Sequence, residues 1–123
     1  MIRFVAFAAA LALTAAAPPS ETAACPVAGK YRVAGTNTGG TTYQGTATIE
    51  DRDGECVIRW SPPSEAEGSG TYANGRLKVH YRPLAGGEGG EATYTRQHDG
   101  TLRGTWSLNG EGGGGGTETL TPY

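Results

Sequence analysis

Tyr43, Trp60, Tyr81, Trp106 and Glu118 are the side chains of this sequence best suited to hold a small molecule. Each lies in an alternating segment, close to the end at which a long connection begins or finishes. Rings with polar tips can grip an apolar or planar molecule, and one carboxylate among them can orient it.

Covalent and acid–base chemistry finds no comparable constellation. His80 and His98 stand apart, without Cys or carboxylate at ligand spacing, so surface histidines are expected and no metal site. The acidic residues sit beside turns or alternate with Thr, and no pair is placed for proton transfer. Gly68-Ser69-Gly70 lacks the full nucleophile-elbow pattern. The glycine run 112–116 leads into a strand rather than a helix, so it does not cradle phosphate. Neither an enzyme nor a cofactor is expected.

The N-terminus carries one early positive charge at Arg3, a short apolar run and small residues up to Ala17, the pattern of a secretory signal peptide. Residues 1–17 are therefore predicted to be removed, with cleavage near Ala16 or Ala17, and the run is too short for a membrane span. Loss of Arg3 would shift the formal net charge from −2 to about −3, with neither sign clustered, so no nucleic-acid footprint exists. Cys25 and Cys56 are an even pair in an exported chain and predict a disulfide. The alternative is a lipoprotein with Cys25 as its lipidated first residue, but Thr22 and the Pro18-Pro-Ser-Glu stretch do not fit the usual pattern before such a cysteine. A secreted or periplasmic location follows from either the signal peptide or the disulfide.

The elements that must position these residues are strands. With 21 glycines, 37% apolar and 18% charged residues, the chain fits a single all-β domain better than a helical bundle. Alternation predicts eight strands, at about 30–35, 42–51, 56–61, 68–73, 76–82, 91–97, 101–108 and 116–121. Asp53-Gly54 and Asn74-Gly75 read as two-residue type I′ turns, which set Ile49 opposite Ile58, Ala47 opposite Trp60 and Tyr72 opposite Leu77. Asp99-Gly100 demands a different turn. Only a three-residue turn with Gly100 as a bulge keeps Tyr94 and Trp106 on the inner face, with Tyr94 opposite Gly104.

Eight short antiparallel neighbours are best closed as an up-and-down barrel, because closure removes exposed edges; a β-sandwich is the alternative. Residues 1–17 are the signal peptide, 18–28 a linker or plug, and 29–123 the barrel. Every tight turn falls at one end. The opposite end gathers the long connections at 36–41, 61–67, 83–90 and 109–116, and long loops on a rigid scaffold are where binding usually resides. If Leu120 points inward, so does Glu118, near that end. The rings admit a second role beside ligand binding, since a small barrel with many interior glycines needs large side chains to fill it.

Gly116-Thr-Glu-Thr-Leu-Thr-Pro122 resembles the ending of a group of short exported bacterial proteins, some labelled fibronectin-binding, and the hairpin pattern resembles the calycin-like barrels, the avidins and lipocalins. Asp99-Gly-Thr-Leu-Arg-Gly-Thr-Trp106 is similar to an avidin strand pair. The resemblance implies a barrel that binds without catalysis. Avidins wall biotin with several tryptophans, and only Trp60 and Trp106 are present, so biotin is not implied. The expected partner is a small apolar or aromatic ligand. The alternative partner is a protein, with the chain acting as a protease inhibitor or a binder of fibronectin or another host protein through its loops.

Overall fold

A computed structural model describes residues 24–62, 65–110 and 113–123. The predicted signal peptide and residues 18–23 of the linker lie outside the described residues. Eight strands follow in order: β1 (Gly29–Thr36), β2 (Thr42–Arg52), β3 (Glu55–Ser61), β4 (Ala66–Ala73), β5 (Arg76–Pro83), β6 (Gly90–Arg96), β7 (Leu102–Leu108) and β8 (Gly115–Pro122). Each pairs antiparallel with its sequence neighbours, and β8 returns to pair with β1, so the sheet closes as an up-and-down barrel rather than a sandwich.

Turn chemistry sets the registers. Asp53 and Asn74 adopt positive φ values of 53° and 54°, each followed by a glycine also at positive φ, as type I′ turns require. Ile49 accordingly faces Ile58, Ala47 faces Trp60 and Tyr72 faces Leu77. At the third hairpin Gly100 is left-handed and Asp99 is not, and the Gln97 amide donates to the Thr101 carbonyl. That three-residue turn places Tyr94 opposite Gly104 and Ala92 opposite Trp106.

Alternation then divides each strand between two environments. Outward positions carry Lys30, Arg32, Arg59, Lys78 and His80, giving a polar wall unlike the apolar band of a lipid-facing barrel. No helix among the described residues is long and apolar enough to cross a membrane. Inward, the half nearer the tight turns is filled by Ile49, Ile58, Leu77, Val79, Leu102 and Leu120, all essentially inaccessible.

The chain before β1 finishes that floor. Cys25 is disulfide-bonded to Cys56, with Cα atoms 5.2 Å apart, and Val27 is buried in the core cluster. The Tyr31 hydroxyl donates to the Val27 carbonyl at 2.5 Å, and the Cys25 amide donates to Asp51 Oδ2 at 3.0 Å. Covalent, apolar and polar contacts therefore fold this segment across one end of the barrel, leaving access from the other.

Candidate functional site

Glu118 is the polar centre of the interior, only 6% exposed. Its position follows from β8, where alternation with Leu120 turns both side chains inward. Its neighbours on both sides are glycines: Glu118 pairs with Gly35 on β1 and with Gly104 on β7. One strand further out, Gly35 faces Tyr43 and Gly104 faces Tyr94. The inner row across five strands thus reads Tyr43, Gly35, Glu118, Gly104, Tyr94. With no side chain between the acid and either phenol, both rings can lean over a glycine to reach it.

They do so from opposite sides. The Tyr43 hydroxyl donates to Glu118 Oε1, and the Tyr94 hydroxyl donates to Oε2 at 2.6 Å. Trp60 reaches across the barrel from β3, and its Nε1–H donates to Oε2 at 2.7 Å. Three donors on one carboxylate satisfy most of its acceptor capacity. Burial, reinforced by the hydrogen bond to Glu118 and by its charge, pushes the ionisation of Tyr43 far up. Burial first and the charge of Glu118 second do the same for Tyr94. Both phenols are therefore protonated donors across the neutral range.

Above this floor lies a cavity of about 270 Å³ whose wall includes Tyr43, Trp60, Tyr81 and Trp106. Its rim carries Asn37, Pro62, Glu65 and Glu88 from the long connections and Pro83 from the end of β5. The four rings are partly buried and packed on the core, each held differently. Trp106 donates through Nε1 to the Thr36 carbonyl at 3.1 Å, and the Tyr81 hydroxyl donates to the Ser107 carbonyl at 3.0 Å. Trp60 and Tyr81 meet edge to face, centroids 5.8 Å apart, the geometry favoured by ring quadrupoles. These contacts fix ring orientation around an open space rather than filling it. The barrel is consequently solid at the turn end and hollow at the loop end.

The comparisons with known proteins concern the scaffold. No protein-family model matches the sequence, and no curated protein is similar to it. Among the solved structures that share its shape are two β-barrels. EF1p2_mFAP2b bound to DFHBI superposes with a TM-score of 0.66 at 19% identity, covering 79% of this chain and 94% of its own. A redesigned beta barrel, b11L5F_LGL, gives a TM-score of 0.60 at 19% identity, covering 79% of this chain and 91% of its own. At that identity the likeness establishes the barrel fold alone.

All five residues singled out from the sequence border the cavity, and the disulfide lies at the opposite end. Sequence reasoning placed Tyr94 inward but did not assign it to the site. Its signal was the register opposite Gly104, the same glycine that faces Glu118 on the other side.

Proposed function

We propose that this is an exported, non-catalytic binding protein that holds a small apolar or aromatic molecule at the loop end of its barrel. The observation that carries this reading is the ring-walled cavity with a fully oriented carboxylate as its floor. Polar groups locked by the protein before any ligand arrives reduce the ordering cost of binding. Its fold neighbour bound to DFHBI supports the reading as an example of a similar barrel in complex.

Export is part of the same proposal. The Cys25–Cys56 bond supports it, because such bonds persist in oxidising compartments. Protein recovered from the source cell's exterior fraction should begin after Ala16 or Ala17, and an intact Met1 there would contradict export.

Native mass spectrometry of protein isolated from its source tests the binding reading. Co-purification of a small molecule that is lost from Trp60→Leu and Trp106→Leu variants is the expected result. A ligand that contacts only the Asp53 or Asn74 turns, or a protein held in its place through the loops, would refute it.

A further inference from the structure

The charged groups of the cavity are all of one sign. Glu118 forms the floor, Glu65 and Glu88 stand at the rim, and among the described residues no Lys, Arg or His lines the wall. Resting on the reading of the cavity as a small-ligand site, we propose that its ligand is a small organic cation, an amine or quaternary ammonium carried on an apolar body.

Three features converge on this chemistry. The first is an uncompensated charge. Among the described residues no cationic side chain pairs with Glu118, whereas Glu50, Glu67 and Glu91 on the outer wall each have a basic neighbour within 4 Å. Tyr43, Trp60 and Tyr94 orient the carboxylate but are neutral donors, so they relieve its lost hydration without supplying counter-charge.

The second is an acceptor position. Oε2 receives two donors, Trp60 and Tyr94, while Oε1 receives Tyr43 alone. A carboxylate oxygen accepts two hydrogen bonds, so Oε1 retains capacity for one donor or for direct contact with a cationic methyl shell.

The third is the wall. Trp60, Trp106, Tyr43 and Tyr81 line the space above the acid, and an aromatic ring attracts a cation placed over its face through its quadrupole. An anion entering the same space would meet three carboxylates, of which Glu118 is buried and weakly screened by water. Glu65 and Glu88 at the exposed rim also draw cations toward the opening.

The test uses an isosteric trio on the mature chain: choline, its uncharged carbon analogue dimethylbutanol, and the anion dimethylbutyrate. Binding is followed by titration calorimetry and by the indole signals of Trp60 and Trp106. Choline is expected to bind at least about tenfold more tightly than the alcohol, and the acid not at all. Glu118→Gln should erase that preference while keeping the fold. Its amide oxygen can still accept from Trp60 and Tyr94, and its NH₂ can donate to a reoriented Tyr43 hydroxyl. Because a buried substitution can unfold a small barrel, the rim variant Glu65→Gln with Glu88→Gln is the second arm. It should weaken choline several-fold and leave the alcohol unchanged. Equal or tighter binding of the alcohol or the acid overturns the cation assignment and leaves the cavity reading standing. Silence of both indoles toward all three probes at tens of millimolar overturns the cavity reading and the cation with it.

Discussion

The phenol of Tyr43 lies directly over the Cα of Gly35. A Cβ at position 35 would stand 2.5 Å from both Cζ and the hydroxyl of Tyr43, and 2.7 Å from the Thr117 carbonyl. The side chain can yield but the β8 backbone cannot, so Gly35→Ala should push Tyr43 off Glu118 and strain the seam between β1 and β8. Urea titration is expected to show a loss of about 1–3 kcal/mol, and the indole signal of Trp60 should change with it. A variant as stable as the parent, with unaltered Trp60 emission, would show that the glycine is incidental.

Removing one donor from the carboxylate should be costly because the acid stays behind. Tyr94→Phe deletes the bond to Glu118 Oε2 and leaves Trp60 as that oxygen's sole donor. The expected loss is about 1.5–3 kcal/mol, the range for hydrogen bonds to charged groups. Tyr72→Phe alters a half-buried ring whose hydroxyl has no side-chain or backbone acceptor among the described residues, and should stay within about 0.5 kcal/mol. Denaturant midpoints of the two variants, measured side by side, make the comparison.

Phenol ionisation gives the molecule an alkaline limit. Burial raises the pKa of Tyr31, Tyr43, Tyr81 and Tyr94 above the ordinary value, and the charge of Glu118 adds to the shift in the last three. Folding therefore retains phenolic protons that the unfolded chain releases. The associated stability is complete below about pH 10 and is lost as pH rises past it. Phenolate absorbance during an alkaline titration should lag in the folded protein and appear abruptly on unfolding. A smooth titration of all six tyrosines near the free value would contradict the buried network.

At the acid side the sign reverses. Amides of Cys25 and Gly54 hold the Asp51 carboxyl below the usual range, and the Thr101 amide and hydroxyl do the same for Asp99. Their stabilisation is present above about pH 4 and is lost as pH falls through the lowered values. Asp51→Asn should flatten the acid limb of a stability–pH profile and loosen the segment before β1, which amide exchange at Cys25 would report.

Reducing the disulfide should lower stability strongly without abolishing β structure. Cys25 and Cys56 are separated by 31 positions, and chain entropy puts closure of such a loop at about 3–4 kcal/mol. For a domain of this size that corresponds to roughly 15 °C or more in Tm. Circular dichroism melts of the parent and of Cys25→Ser with Cys56→Ser measure it. An unchanged Tm would mean that Val27 and Asp51 anchor the segment alone.

Much of this architecture was legible because turn chemistry is local. Asp53-Gly54, Asn74-Gly75 and Gly100 set three registers, and register decides which alternate residues face inward. The inward direction of Glu118 followed from Leu120 by the same logic. What surrounds that acid was not legible. Trp60 and Tyr94 lie on strands that are not neighbours of β8, so their bonds to Glu118 depend on closure and curvature rather than on any short-range pattern. The division into a filled half and a hollow half likewise rests on summed side-chain volumes. Periodicity marks Ile58 and Trp60 alike as inward and cannot say which of them borders empty space.

The seam between β1 and β8 also sets the timing of assembly. Tyr31 pairs with Pro122 and Gly35 with Glu118, so the first strand waits for almost the whole domain to be present before it gains its second partner. Contacts of such long sequence separation form slowly, because loop closure must precede any reward. Leu120 and Glu118 arrive together on that final strand, one completing the core and the other the cavity floor. A chain still emerging from synthesis therefore cannot close prematurely into a barrel. The cavity comes into existence only at the moment the last strand docks.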